Sequence, residues 1–428
     1  MSLPLPTSRD AIKRMQSERK RVAVANARRA PFWKGKLDHV DLDRLDDPVE
    51  WRKIPILDKE MLRAIPPEQF YEQFCIAPRE RIAEFWRSGG TTGVPLFYPR
   101  TIDDMPYAMV SFARTYQCMG CRPGDIAHLS FPLGIHPAGQ MWARAATQVG
   151  VGVAWVGAGN TAPSLLQLQL IDKLKPTVWM GMPSFGLHLA NLAETQGIDL
   201  AASSVKRILC TAEPLSQAKR TKLARAWGAE VYDAFGMTEC TMMGAEGEAR
   251  DGFHIWTDIA FIEVVDEKTG EPVPEGEVGS LVVTPLWTNH ATPFLRWSSG
   301  DLVTMREQGA SSGPFSVFPV VTHAHRTVGF FKIRGVNLSH AEFEDFMFRI
   351  AEVNDFKAEL TNSGGNDALC VSIEVRRGAE PDGVVRIVVS ETKRHFDVTP
   401  EVVVLTTGTL AREFESAVKA PRFADKRS

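Results

Sequence analysis

Nowhere in the 428 residues is there an apolar run approaching the roughly 20 residues that a helix needs to span a bilayer. The best candidate, Val149 to Ala158, is short and interrupted by glycine, and it reads as a buried strand. Cysteine is scarce: six in a chain of this length do not make a disulfide framework, which points to the cytosol. Cys118 and Cys121 have metal-like or redox-like spacing, yet a zinc site needs two more ligands and none stands near in sequence. We read that pair as structural thiols; His323 and His325 adjoin each other but lie far from any cysteine. An excess of positive charge is missing as well. With 49 basic against 52 acidic residues and a net charge of −3, the composition argues against a nucleic-acid partner. We expect neither a secretory leader nor a membrane partner. Met1 to Pro6 runs into Arg9, Lys13, Arg14, Arg19, Lys20 and Arg21 with no hydrophobic block behind it. That basic stretch reads as a solvated helix face rather than a membrane-surface helix. The sequence shows no internal repeat and no low-complexity tract.

What is present is an ordinary balance for a folded chain, 44% hydrophobic and 24% charged, in a length that usually divides into domains. From about Ile82 to Asp301 short β-rich runs alternate with helical stretches. Ala127 to Pro132, Gly152 to Val156, Thr177 to Met180 and Arg207 to Cys210 read as strands; Gln140 to Gln148, Ser164 to Leu174 and Ser184 to Thr195 read as helices. This alternation predicts βαβ units and a parallel sheet, hence an α/β fold. Residues 253 to 306 change character, with strands at Phe261 to Val265 and Val278 to Val283 joined across a Gly/Pro/Glu-rich turn, Asp266 to Gly276, as in an antiparallel subdomain. The last hundred residues read as a small α+β unit: a strand at Phe330 to Arg334, a helix at Ala341 to Ile350, a strand at Ala368 to Val375 and a helix at Gly383 to Arg394. The expected division is therefore a large domain over 1–325 and a small one over 326–428.

Four motifs carry possible chemistry. Ser88, Gly89, Gly90, Thr91, Thr92 and Gly93, followed by Val94-Pro95, suit a loop whose backbone N–H groups and hydroxyls cradle an anion. The run lacks the Gly-Lys-Ser/Thr ending of a Walker loop, and a plain Gly-rich hairpin fits it equally. Tyr232-Asp233-Ala234-Phe235-Gly236-Met237-Thr238-Glu239 offers an aromatic for a flat base, a hydroxyl for phosphate and a carboxylate for Mg²⁺; a strand running into a helix cap also fits. Thr211-Ala212-Glu213-Pro214 follows the strand Arg207 to Cys210, at the end of the sheet where open α/β folds bind ligands. In Arg296-Trp297-Ser298-Ser299-Gly300-Asp301 the Asp suits a ribose diol, or merely a turn.

The order of these four, followed by Phe330-Phe331-Lys332-Ile333-Arg334-Gly335-Val336-Asn337 and by Lys419-Ala420-Pro421-Arg422, resembles the acyl-adenylate-forming superfamily. Within it the chain resembles the phenylacetate–coenzyme A ligase family, from about Trp51 to Arg427. The resemblance implies a large adenylation domain, a small mobile C-terminal domain, and an AMP-forming ligase using ATP, Mg²⁺ and coenzyme A on an aromatic acid. It implies that Ser88 to Gly93 grip the β- and γ-phosphates, that Ala212, Glu213 and Pro214 line the adenine slot, and that Phe235 stacks on the base. Asp233, Gly236 and Met237 join that nucleotide set; Thr238 touches the α-phosphate, Glu239 holds Mg²⁺ and Asp301 binds the ribose. Lys419 would stabilise the charge that develops as the carboxylate attacks the α-phosphate. Arg326, Lys332, Arg334 and Gly335 would serve the cofactors from the C-terminal domain, the last three beside the pantetheine arm. His136, Ala138, Gly139, Gln140, Met141 and Trp142 fall where the family places its acid pocket. Small residues with an aromatic and a Met suit a flat ring, although Met141 and Trp142 also suit the core.

Three departures stand out. The family's hinge carries Gly-Arg and a carboxylate pair, where this chain reads His325-Arg326-Thr327-Val328-Gly329. Counting forward from Leu410-Ala411-Arg412 puts the family lysine near Ser416, whereas counting back from Asp425-Lys426-Arg427 puts it at Lys419, the one that is a lysine. Some relatives carry a Cys before a Gly-x-His element; Gly252-Phe253-His254 has none, so no structural zinc is expected and His254 reads as a core or turn residue. Two further readings stay open, a different acceptor (a cofactor or a carrier-protein thiol) and a non-enzymatic ATP sensor. The retained Thr238, Glu239, Asp301 and Lys419 speak against the sensor. A homodimer is one allowed assembly.

Overall fold

The computed structural model describes residues 3–87, 96–158, 161–325, 330–333, 336–363, 366–414 and 422–427. The chain forms two compact units. The first comprises Met1–Asp125, Leu133–Gly152 and Tyr232–Arg326; the second comprises Ile126–Pro132, Val153–Val231 and Thr327–Ser428. No helix among the described residues is long and apolar enough to cross a membrane.

The first unit opens on the helix Arg9–Ala27, which Ser8 caps by accepting the Ala11 N–H at 3.2 Å. Ile12, Ala23, Val24 and Ala27 form its buried stripe. The basic residues are not wholly solvated, as the sequence suggests they should be. Arg19 lies over the Trp287 ring at 4.0 Å, and Lys20 is buried over Phe261 at 3.6 Å. Both side chains cover aromatic surface with their stems and find the negative ring face with their charge. Beyond the helix, antiparallel strands run in the order Ala260–Val265, Gly279–Pro285, Trp297–Arg306, Val320–His325, Phe253–Ile255, Thr241–Glu246 and Glu230–Met237. The Phe261 and Val278 runs of the sequence are thus realised within a few residues, with Val264 facing Leu281. A separate hairpin pairs Ile82–Arg87 with Phe97–Thr101 on either side of the Ser88–Pro95 segment. Helices Met105–Cys118 and Pro137–Ala146 pack together, with Trp142 edge-on to Phe112 and Tyr116.

In the second unit the four strands expected from the sequence are all present, in the order Arg207–Cys210, Val178–Gly181, Ile126–Ser130 and Gly152–Trp155. The first three pair in parallel. Val178–Gly181 is buried on both faces, which is why it reads as a continuous apolar run. The helices Ser164–Leu174, Pro183–Thr195 and Gln217–Trp227 supply the crossovers. Gly186 lets two of them meet: a Cβ there would stand 3.0 Å from Leu223 and 3.1 Å from Trp179, and its carbonyl accepts the Trp227 indole N–H at 3.1 Å. The C-terminal part of this unit carries a four-stranded sheet in the order Glu401–Leu405, Asn366–Val375, Val353–Ser363 and Phe423–Asp425, with helices His340–Arg349 and Pro381–Phe396. The mixed α/β class expected from the sequence is what the chain adopts.

One buried ion pair ties the first unit together. Arg114 donates both terminal N–H groups to Asp258, at 2.7 and 2.8 Å, with the pair 1% and 0% exposed. Asp258→Ala leaves that guanidinium buried and unpaired, so it is expected to destabilise the protein by about 3–5 kcal/mol. Arg114→Met combined with Asp258→Leu should recover most of that loss in urea unfolding. Equal losses for the single and double variants would show that packing, not the ion pair, matters there.

Candidate active site

The Thr238–Glu239 motif sits in a turn, and the sequence explains why. The strand Glu230–Met237 doubles back into Thr241–Glu246 with Met237 facing Thr241, so the strand ends in a hairpin rather than a helix cap. The Cys240 N–H closes the turn on the Met237 carbonyl at 3.1 Å, and Thr241 takes the left-handed conformation at φ 72°. Gly236 is required by close approach, since a Cβ there would stand 2.7 Å from the Thr241 carbonyl oxygen and 2.8 Å from the Met242 Cα.

A residue that the sequence reading passed over holds this turn. Arg100, on the strand Phe97–Thr101, is fully buried. It donates to the carbonyls of Thr238 and Glu239, both at 2.7 Å. The other arm of the guanidinium donates to the Thr288 carbonyl at 3.1 Å and to Thr292 Oγ1 at 3.0 Å. Trp86 lies beneath it, 4.9 Å from ring centre to Cζ. No local pattern singles Arg100 out, because its partners lie 138 to 192 residues along the chain.

Glu239 itself is buried. Burial raises its carboxyl above the usual range, opposed by Lys59, Tyr98 and Arg100. Tyr98 is pushed up in turn, by burial and then by the Glu239 charge. Tyr98 belongs to an aromatic nest, edge-on to Phe294 at 5.5 Å and to Phe70 at 5.9 Å. A buried carboxylate of this kind favours a bound cation.

Phe235 and Asp301 are linked through a third residue. Phe235 is 7% exposed and edge-on to His323 at 4.5 Å; the backbone of His323 pairs with Val303, two residues beyond Asp301. Asp301 is buried and accepts from the Ser299 hydroxyl, following Gly300 at φ 81°. The Asp233 N–H donates to Glu246 at 2.8 Å, and Asp233 itself accepts from the Ala234 N–H at 2.9 Å. Met237 and Thr238 are half-buried.

In the second unit Ala212 has φ 69°, a strained value for a residue with a Cβ, directly after the strand Arg207–Cys210. Glu213 accepts from the Ser184 N–H at 3.0 Å and the Ser184 hydroxyl at 2.8 Å. The Pro214 carbonyl accepts from Lys219 at 3.1 Å. Lys332 is exposed on the hairpin Phe330–Ile333 and Val336–Ser339. Ser88, Gly89, Gly90, Thr91, Thr92, Gly93, Arg326, Arg334, Gly335 and Lys419 lie outside the described residues.

Of the acid-pocket candidates, Met141 and Trp142 are fully buried and Gly139 is buried with them. The Trp142 carbonyl accepts the Tyr116 hydroxyl at 2.9 Å, and the Trp142 ring stands edge-on to Phe112 and Tyr116. His136, Ala138 and Gln140 keep partial exposure, with Gln140 Nε2 donating to the Gly134 carbonyl at 2.9 Å. Cys118 is buried with its thiol toward the Ala245 carbonyl at 3.6 Å, and burial pushes that thiol up.

Comparison with known proteins names the class. Residues 34–286 match the AMP-binding enzyme family, and the chain belongs to it. The chain is 32% identical over 380 residues to phenylacetate-coenzyme A ligase of Thermus thermophilus, covering 86% of this chain and 82% of that one. It is 29% identical over 434 residues to phenylacetate-coenzyme A ligase of Aromatoleum evansii, covering 98% and 96%. A crystal structure of 2-hydroxyisobutyryl-CoA ligase in the postadenylation state shares the fold, with a TM-score of 0.82 over 99% of this chain and 94% of that one, at 22% identity. The resemblance read from the motif order is borne out.

Removing the Arg100 guanidinium strands the carbonyls of Thr238 and Glu239 in the interior. Arg100→Met is expected to cost about 3 kcal/mol in thermal unfolding, and Arg100→Lys, which keeps charge but loses the fork, to recover less than half of it. A variant as stable as the parent would show that the turn holds itself.

Proposed function

We propose that the protein is an ATP-dependent, AMP-forming ligase that activates an aryl or arylacetic acid and passes the acyl group to coenzyme A. The observation that carries this reading is the likeness to phenylacetate-coenzyme A ligases over nearly the whole chain. In the reaction a carboxylate oxygen bonds to the α-phosphorus as pyrophosphate leaves; the coenzyme A sulfur, losing its proton, then bonds to the acyl carbon as AMP leaves. Two anions must approach, so the site has to supply cations and aligned donors that act most strongly as charge builds in the transition state.

We assign the Thr238 hydroxyl to the α-phosphate, Phe235 with Ala212, Glu213 and Pro214 to adenine, and Asp301 to the ribose. Asp233, Gly236 and Met237 shape that nucleotide site. Ser88 to Gly93 are assigned to the β- and γ-phosphates, and Lys419 to the charge that develops on the α-phosphate. Mg²⁺ would be held by Glu239. The residue fits the ion in kind: Glu239 is a buried carboxyl in the turn, a hard oxygen donor for a hard cation. One carboxylate with phosphate oxygens and water is how Mg²⁺ is usually bound, and the ion would neutralise phosphate charge. We assign the acid to the segment His136 to Trp142, with His136, Ala138 and Gln140 supplying its accessible side chains. Residues 326–428 are proposed as the mobile domain, bringing Arg326, Lys332, Arg334 and Gly335 to the coenzyme A step and shielding the adenylate from water. A cytosolic location without nucleic-acid or membrane partners completes the reading, and a homodimer is compatible with it.

The test is AMP formation from ATP across aryl, arylacetic and fatty acids, with and without coenzyme A. Turnover on aromatic acids that needs coenzyme A is expected. Turnover with fatty acids alone overturns the acid assignment, and full AMP release without coenzyme A points to another acceptor. Lys419→Ala is expected to lower adenylate formation by roughly 10²–10³-fold, as when one donor to a developing charge is removed. An unchanged rate, read as acid-dependent pyrophosphate release, would move that role to another lysine.

A further inference from the structure

The second unit contains a cavity of about 250 Å³ that none of the assignments above uses. Its walls come from two separate stretches of chain. The helices Pro183–Thr195 and Gln217–Trp227 supply Glu194, Lys222 and Arg225; Asn354, Arg376 and Arg377 come from the C-terminal sheet. Four cationic side chains and a single carboxylate line it.

That carboxylate is already satisfied. Glu194 accepts from Asn354 Nδ2 at 2.8 Å and from the Arg377 N–H at 3.3 Å. The guanidinium groups of Arg225, Arg376 and Arg377 have no hydrogen-bond or ion-pair partner among the described residues. Lys222 is the built element of the site. It is only 7% exposed, and its ammonium donates to the Val353 carbonyl and stands 5.1 Å from the Phe348 ring centre, leaving further N–H donors. Burial pushes this amine down to about 7; Arg225 and Arg422 push the same way, against Asp355 and Glu194.

We propose that this cavity binds a phosphate-bearing anion, held by Lys222, Arg225, Arg376 and Arg377. Three arginine side chains with no partner among the described residues and one lysine, all lining one small space, match the charge and the several oxygens of a phosphate. An anion here adds to the negative charge that Asp355 and Glu194 place near Lys222 and favours its ammonium form. Because the walls come from two stretches, an occupied site ties residues 376–377 to the two helices. Under the domain mobility proposed above, the anion would favour the arrangement seen here.

The test uses the full-length protein and inorganic phosphate, titrated by calorimetry at pH 8 in two buffers of different ionisation enthalpy. Saturable binding with net proton uptake is expected, because Lys222 is largely neutral at that pH and an anion draws a proton back. Arg225→Gln and the pair Arg376→Gln with Arg377→Gln, all at exposed side chains, should each weaken binding about tenfold or more while ATP binding stays as in the parent. Lys222→Met should abolish the proton uptake. Comparing coenzyme A with 3′-dephospho-coenzyme A separates the sources. A KM rise in the arginine variants for the former alone identifies its 3′-phosphate as the anion; loss of phosphate binding with neither KM moved identifies free phosphate. Absence of saturable binding, arginine variants that bind like the parent, or phosphate displaced by ATP while those variants are unaffected each overturns the proposal. The phosphate titrations need no acid substrate, so their failure is distinct from failure of the proposed function; only the KM comparison rests on that reading.

Discussion

The candidate active site depends on one buried guanidinium. Arg100 reaches from the hairpin that flanks the Ser88–Pro95 segment to the backbone of Thr238 and Glu239, 138 and 139 residues away. A charge with no exposure is tolerable only if its donors find acceptors, and four of them do. In return the carbonyls of a tight turn, which otherwise face the interior unpaired, are satisfied. The aromatic nest of Tyr98, Phe70, Phe74, Phe294 and Trp297 holds the surrounding strands in place. Packing fixes the strand, the strand fixes the guanidinium, and the guanidinium fixes the turn.

What could be read from the sequence was whatever is encoded locally. Arg207–Cys210 appears in the fold with the bounds its apolar run suggested, and Ser164–Leu174 does likewise. The Tyr232–Glu239 motif is legible in the same way, because its aromatic, glycine and Thr–Glu pair stand in consecutive residues. Arg100 was not, since its meaning comes from long-range partners that no local spacing encodes. The same limit applied to Met141 and Trp142. Whether an apolar residue lines a pocket or a core is decided by the helix it packs against, here Met105–Cys118. Val353–Ser363 was readable in principle, as Phe356, Ala358 and Leu360 alternate with polar residues and are buried. Glu401–Leu405, by contrast, is an edge strand with Val403 and Val404 exposed, so its apolar run gives no clean alternation.

Buried charge recurs in the second unit with a different consequence. Lys219 pairs with Glu344 at 2.9 Å, and Arg422 donates to Asp355 at 2.9 and 3.2 Å and lies 3.7 Å from Glu344. Asn354 bonds Glu194 at 2.8 Å, and Lys222 bonds the Val353 carbonyl. Many of the ties between the helices of residues 183–227 and the C-terminal sheet are therefore polar. Such ties yield little net stability, because each ion must first give up its water.

That low net stability is itself informative about the proposed mobility. Two apolar faces drawn apart would expose surface at about 25 cal/mol per Å², a cost that grows with every side chain uncovered. Ion pairs drawn apart regain hydration on both partners, so much of the lost attraction is returned by water. A chain that must separate and rejoin these parts within each turnover is better served by the second kind of contact. The polar lining of Lys219, Glu344, Asn354 and Glu194 is the kind of surface that can open without inviting aggregation. The arginines beside it that have no partner among the described residues would give the proposed anion a means of biasing the balance.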